Sequence, residues 1–180
     1  MPPLRHLAAT TAIVVTLLLV FTAVAAAHPG KHRPPRGYDN LWIGTAEADT
    51  YTAPDGSRDK ILGRAGNDVL TAGDRHDLVR GNRGDDAIEG GVGRDRIHGG
   101  LGDDRLSGGE HADRIFGGPG ADGINGGTGP DRIRAGLGDD TIVANDGTRD
   151  LIDCGPGEDT VTADARDRIS RNCENVTRVS

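Results

Sequence analysis

Aspartates recur at every ninth residue through the centre of this chain. The register runs without a gap through Asp68, Asp77, Asp86, Asp95, Asp104, Asp113, Asp122, Asp131 and Asp140. Two places after each aspartate stands an aliphatic residue: Leu70, Val79, Ile88, Ile97, Leu106, Ile115, Ile124, Ile133 and Ile142. Glycine precedes the aspartate by two places in most units, with Arg75 and His111 as the exceptions. Such a register predicts a repetitive fold made of short, equivalent units.

A complete unit, for example GGVGRDRIH at 90–98, has glycine at positions 1, 2 and 4, aspartate at position 6 and an aliphatic residue at position 8. The glycines permit positive φ and sharp bends. The three residues around position 8 suit a short strand with one side chain turned inward. We therefore expect a loop of six residues and a strand of three in each half coil, so that a full coil contains 18 residues.

Stacking such coils creates a charge problem that a metal ion would solve. Equivalent aspartates would lie about 5 Å apart, the spacing of neighbouring strands. Unit charges at this distance repel by roughly 1–3 kcal/mol per neighbour at effective dielectric constants of about 80 to 20. A hard cation that accepts about 6–8 oxygen ligands, including backbone carbonyls, suits this ladder, which favours Ca²⁺ over the smaller Mg²⁺.

The units GGVGRDRIH, GGLGDDRLS and GGTGPDRIR resemble the nonapeptide G-G-x-G-x-D-x-U-x of RTX (repeats-in-toxin) calcium-binding proteins. The ending at residues 153–180, which holds both cysteines, resembles the disulfide-closed tail of small secreted actinobacterial members. The resemblance of the repeats extends over residues 63–143. It implies an all-β, right-handed parallel β-roll with several Ca²⁺ ions between the loops of each edge. It also implies that the nine repeat aspartates are carboxylate ligands, with carbonyl ligands at Gly63, Gly81, Gly84, Gly99, Gly102, Gly117 and Gly120.

Alternate loops should lie on opposite edges of the roll, and the two edges differ in sequence. The first edge keeps glycine at position 4 and adds three acids at position 5: Asp85, Asp103 and Asp139. The second edge has Arg75 and His111 at position 4, and His76 and Arg94 at position 5. One interpretation is asymmetric binding, with four good sites on the first edge and weaker or vacant ones on the second. The other is neutral drift in a redundant array.

The region before the repeats predicts export. Residues 1–27 have a short basic start at Arg5 and His6, an apolar run and the ending AVAAAH, which is typical of a cleaved signal peptide. A retained membrane anchor is the alternative. Residues 28–40, rich in proline and basic residues, predict a flexible linker. A second interpretation is attraction to anionic wall polymers or lipids through Lys31, Arg33 and Arg36.

The two flanks of the array predict caps. Residues 41–62 contain degenerate repeats with Asp49 and Asp59 in the acid positions, and residues 144–180 contain others, beginning with Asp150. Solenoids need atypical terminal units to cover an open core, although calcium ligation by these acids is the alternative. Cys154 and Cys173, in a chain expected to be exported, predict a disulfide that closes the C-terminal cap.

Charge and motifs narrow the function. A net charge of −7 argues against a nucleic-acid partner, and we expect no membrane contact after signal cleavage. The chain has no serine elbow, no H-E-x-x-H and no phosphate loop, so we expect no enzymatic activity. The leading expectation is a secreted, extracellular calcium-binding protein that folds on meeting Ca²⁺. The alternative is a cell-surface or matrix module for adhesion, with cell-wall polymers or polysaccharide as partners.

Overall fold

The computed structural model describes residues 35–179. The expected signal peptide and most of the linker, including Lys31 and Arg33, lie outside the described residues. Residues 35–179 form sixteen strands: β1 (Asn40–Ile43), β2 (Thr50–Thr52), β3 (Asp59–Ala65), β4 (Val69–Thr71), β5 (Leu78–Arg83), β6 (Ala87–Val92), β7 (Arg96–Leu101), β8 (Arg105–Glu110), β9 (Arg114–Pro119), β10 (Gly123–Thr128), β11 (Arg132–Leu137), β12 (Thr141–Ala144), β13 (Leu151–Asp153), β14 (Thr160–Asp164), β15 (Arg168–Ile169) and β16 (Asn175–Val179).

Successive strands alternate between two parallel sheets. The odd-numbered strands form one eight-stranded sheet in the order β1-β3-β5-β7-β9-β11-β13-β15, and the even-numbered strands form the other. Within a sheet, Val79 pairs with Ile97, and Ile97 pairs with Ile115, so neighbours are 18 residues apart along the chain. The fold is a two-sheet parallel β-solenoid of eight turns, which confirms the predicted architecture and coil length.

The core is a double column of the aliphatic residues at position 8. All nine of those side chains are buried, at 0–3% exposure. At the N-terminal end, Trp42 pairs with Ile61 and Tyr51 pairs with Leu70, which places both aromatic residues in the inward columns. Their rings stack with centroids 4.6 Å apart and cover the first coil. Within residues 35–179, no helix has the length and hydropathy required to cross a membrane.

The strands are longer than the expected three residues. From β5 to β11 each strand has six residues, because the strand continues through positions 1 and 2, which are mostly glycine, to position 3. Gly109 pairs with Gly127, and both have positive φ, a conformation that glycine adopts without a steric cost. Because the backbone can stay in the sheet there, the turn between strands shrinks to three residues.

The predicted disulfide is confirmed. It joins Cys154, directly after β13, to Cys173, shortly before β16, with a Cα–Cα distance of 5.3 Å. Cys154 is fully buried and Cys173 is 9% exposed. Since β13 pairs with β15, the bond joins the end of β13 to the turn between β15 and β16, one coil later, at the C-terminal end of the core.

Candidate metal-binding edges

The turns place the repeat aspartates on two opposite edges. Asp68, Asp86, Asp104, Asp122 and Asp140 lie where an odd-numbered strand gives way to an even-numbered one. Asp77, Asp95, Asp113 and Asp131 lie where the chain returns to the odd-numbered sheet. Each edge thus carries one aspartate per coil, as predicted. All nine are buried, with exposures of 1–2%.

One carboxylate oxygen of each repeat aspartate is held by the backbone of the coil before it. The N–H of Asp86 donates to Oδ1 of Asp104 at 2.8 Å, and the N–H of Asp104 donates to Oδ1 of Asp122 at 2.9 Å. The second edge repeats this, since the N–H of Asp95 donates to Oδ1 of Asp113 at 2.8 Å. Sequence reasoning missed this ladder, because it depends on a contact between residues one coil apart.

The other carboxylate oxygen has no hydrogen-bond partner. Buried, unpaired oxygens within residues 35–179 are Oδ1 of Asp59 and Oδ2 of Asp68, Asp77, Asp86, Asp95, Asp104, Asp113, Asp122, Asp131, Asp140, Asp150 and Asp159. A buried polar atom without a partner is costly, and native structures contain few of them. A repeated row of such atoms therefore points to a ligand that satisfies the whole row.

The unpaired oxygens share a cradle with backbone carbonyls. A Cβ added to Gly99 would lie less than 3.0 Å from both Oδ2 of Asp104 and the carbonyl oxygen of Gly117. On the second edge, a Cβ added to Gly90 would lie equally close to Oδ2 of Asp95 and the carbonyl oxygen of Gly108. Glycine at position 1 thus leaves a space on which a carboxylate and a carbonyl from the next coil converge. Two oxygens of these types fit Ca²⁺.

The predicted carbonyl ligands fall into two groups. Those at position 1 border the cradles: Gly63, Gly81, Gly99 and Gly117. Those at position 4 lie in the turns and stack closely along the first edge: Gly84, Gly102 and Gly120. A Cβ on Gly102 would collide with the carbonyl of Gly84. Ligation by either group stays a prediction.

Burial raises the pKa of every repeat aspartate, while the N–H from the previous coil acts in the opposite direction. For Asp131 the pKa rises to about 8, with further upward contributions from the charges of Asp113 and Asp150. For Asp104 it rises to about 7, and for Asp113 to about 6. The remaining repeat aspartates shift in the same direction: Asp68, Asp77, Asp86, Asp95, Asp122 and Asp140. Without a cation, the folded roll therefore holds protons that free aspartates would release.

The two edges differ in their exposed groups rather than in the cradles. On the first edge, Asp103 donates its N–H to Oδ1 of Asp85 at 3.0 Å, so the extra acids form a second, exposed ladder. On the second edge, Arg94 donates its N–H to Nδ1 of His76 at 2.8 Å. Arg75 and His111 both adopt φ 83°, a positive value like those of most position-4 glycines. The backbone course is therefore preserved, and unequal affinity of the edges stays a prediction.

At each edge, a coil supplies one buried repeat aspartate. Among residues 35–179 no three His, Cys, Asp or Glu side chains gather into one metal-binding cluster. Any ion at these edges would therefore depend on backbone carbonyls and on aspartates of successive coils. In two units position 1 is alanine rather than glycine, at Ala72 and Ala135. Both alanine side chains are buried, and the sequence pattern predicted no role for them.

The profile of the RTX calcium-binding nonapeptide repeat matches four times, at residues 55–88, 62–97, 89–124 and 124–151, and together these matches cover more than half of the chain. The chain belongs to the RTX calcium-binding nonapeptide repeat family. It is therefore a calcium-binding RTX β-roll module, and the cradles at Gly90 and Gly99 lie within the matched repeats. Searches among curated proteins and among solved structures gave no significant match.

Proposed function

We propose that this RTX protein is secreted and that its roll folds when Ca²⁺ binds after export, with no enzymatic activity of its own. The observation that carries the proposal is the row of buried, unpaired carboxylate oxygens along both edges. The repeats of the family bind calcium, and a binding free energy available only to the folded state acts as folding free energy.

The chain's own residues prepare the sites. The N–H of each aspartate fixes Oδ1 of the aspartate one coil later, which leaves Oδ2 directed at the cradle. Glycine at position 1 keeps the cradle open, and the next coil brings its carbonyl to the same space. Ca²⁺ held by these carboxylate and carbonyl oxygens would supply positive charge that offsets the negative charge of the buried aspartates.

The same features make the metal-free roll weak. At neutral pH, aspartates with pKa values of about 6 to 8 must be either protonated or charged in a buried position. Both states oppose folding relative to a solvated chain. In low calcium we therefore expect an unfolded chain, which suits passage through an export channel. Extracellular calcium-binding modules have dissociation constants of about 10⁻⁴–10⁻³ M, and we expect the roll to fold in this range of Ca²⁺ concentration.

A calcium titration followed by circular dichroism tests the folding step. We expect a coil-to-sheet transition of the exported chain with Ca²⁺, and a much weaker response to Mg²⁺ at the same concentration. A sheet spectrum that is present in chelator and unchanged by calcium would refute the proposal. For secretion, the full gene is expressed in its host, and we expect the product in the medium to begin at His28; a product retained in the membrane fraction would refute this part.

A further inference from the structure

The outer face of the odd-numbered sheet is strongly basic, although the protein is acidic. Sheet pairing places Arg96 beside Arg114 and Arg114 beside Arg132, in one column at position 7. A second column, at position 9, runs through Arg80, His98, Phe116 and Arg134. We call this surface the arginine face; its exposed arginines are Arg80, Arg96, Arg114, Arg132, Arg134 and Arg168.

Few acidic side chains lie on the arginine face to neutralise its positive charges. In the described odd-numbered strands, Asp153 is the one acid at an outward position. The side chains of Arg166 and Arg178 donate hydrogen bonds to backbone carbonyls, but neither belongs to the face. Neighbouring strands of the face lie about 5 Å apart, so the like charges of neighbouring arginines repel one another. The even-numbered sheet shows no such row, since its outward residues are mostly Thr, Ser, Asn, Val and Ala.

Packing within the second column holds the face in place. The rings of His98 and Phe116 stack with centroids 4.6 Å apart, and the guanidinium of Arg134 lies 5.9 Å from the centroid of Phe116. Burial lowers the pKa of His98, and the charges of Arg80 and Arg96 lower it further. The field at this face is therefore positive. A regular array of arginines on one sheet face can pair with several anionic groups of one ligand at once.

An apolar strip borders the cationic columns. Leu101, Pro119 and Leu137 follow at position 3 of three successive odd-numbered strands. Leu101 is 49% exposed and Leu137 is 53% exposed. The two cationic columns thus lie beside leucine and proline side chains that can pack against the uncharged face of a ligand ring.

We propose that the arginine face binds an extended acidic polysaccharide, one whose sugars carry carboxylates. Arginine pairs with carboxylates through two parallel hydrogen bonds, and the column repeats its charge about every 5 Å, close to the length of one sugar residue. The apolar strip suits the faces of pyranose rings. The inference rests on the proposed function in one respect, since the columns exist only when the coils are stacked.

Two other polyanions fit the face less well. Single-stranded nucleic acid is held by aromatic rings on which bases stack, but both faces of Phe116 are covered, by His98 and by Arg134. Binding to an anionic membrane is strengthened by apolar side chains that enter the lipid, and the strip offers only two leucines and a proline. The acidic edge of a second copy is another polyanion that this face would attract.

The test measures binding of galacturonate hexamer to the exported chain in saturating calcium, by calorimetry. The variant R96Q/R114Q/R132Q removes the central column, and R105Q/R166Q/R171Q removes equal charge elsewhere. Circular dichroism first shows that both variants fold with calcium, which separates failure of this inference from failure of the calcium proposal. We expect the column variant to bind at least ~tenfold more weakly, since one charge-assisted contact is worth about that factor or more, and the control variant to bind normally.

Ligand controls complete the experiment. Methyl-esterified galacturonate hexamer should not bind, because its carboxylates are masked, and binding of the acid form should weaken as salt rises. Equal binding of the esterified hexamer, or equal loss in both triple variants, would overturn the proposal. So would tighter binding of oligo-dT or of vesicles containing phosphatidylglycerol, or self-association of the chain that the column variant abolishes.

Discussion

The backbone N–H of Asp86 donates a 2.8 Å hydrogen bond to Oδ1 of Asp104, the equivalent residue one coil later. Asp104 thereby has one oxygen committed to the neighbouring coil and the other, Oδ2, buried without a partner. The same division of the two oxygens recurs along both edges. It links folding, proton binding and calcium binding, because all three act on one carboxyl group.

Replacing Asp104 by Asn should affect the two states of the roll in opposite directions. The amide retains an acceptor for the N–H of Asp86 but removes a buried charge, so the metal-free roll should gain stability while the affinity for calcium falls. Sheet content in chelator and the amount of calcium bound in equilibrium dialysis are the two measurements. Calcium binding by Asp104→Asn that equals that of the wild-type chain would contradict the assigned role.

Asp113→Asn on the second edge is the matched comparison. If the edges bind asymmetrically, Asp104→Asn should lose more bound calcium than Asp113→Asn, as measured by equilibrium dialysis. Equal losses would show that arginine and histidine at position 4, Arg75 and His111, have no effect on calcium binding, and would favour neutral drift.

Stability without metal should fall as pH rises. The repeat aspartates have folded-state pKa values above the ordinary value, so the folded roll binds more protons than the unfolded chain between roughly pH 4 and pH 8. The stability gained from these extra protons is complete below about pH 4 and is lost as pH rises through 6 to 8.

Calcium affinity should change with pH in the opposite direction, because Ca²⁺ and protons compete for the same oxygens. We therefore expect metal-free sheet at pH 5, seen by circular dichroism, and calcium binding that is tighter at pH 8 than at pH 5, measured by equilibrium dialysis. A calcium affinity that is independent of pH across this range would mean that the buried carboxyl groups are not the ligands.

Gly102→Ala should destabilise the roll through two effects. Gly102 has φ 123°, and an added Cβ would collide with the carbonyl of Gly84 in the preceding coil. Gly56 has φ 79° and no atom near the site of an added Cβ, so Gly56→Ala measures the cost of the positive φ alone. We expect about 1–3 kcal/mol of strain in Gly56→Ala and a larger loss in Gly102→Ala. Urea unfolding in saturating calcium measures both, and equal losses would show that the close stacking contributes nothing.

Removing the disulfide with Cys154→Ala and Cys173→Ala should lower the free energy of unfolding by about 3 kcal/mol, the amount expected for a loop of this size. The number of bound calcium ions should stay the same, because neither cysteine lies in a repeat cradle of residues 63–143. A loss of bound calcium along with the stability would show that the cap also shapes the sites.

Several features were predictable because they depend on spacing alone. A nine-residue period with one inward residue per unit requires two strands per coil and places alternate aspartates on opposite edges. The strand length was predicted wrongly, since the glycine pair was assigned to the loop. In the structure, Gly109 and Gly127 pair across coils because a residue without a side chain can keep its N–H and C=O in the sheet at positive φ.

The amino-acid sequence by itself determined the period, the inward column and the choice of acids and glycines, since these are properties of a single unit. Stacking decided the rest. The free Oδ2 of Asp104, the cradle above Gly99 and the row from Arg96 to Arg132 all involve residues in different coils. Residues 18 positions apart in an extended chain do not meet, and only the parallel register brings them within contact distance.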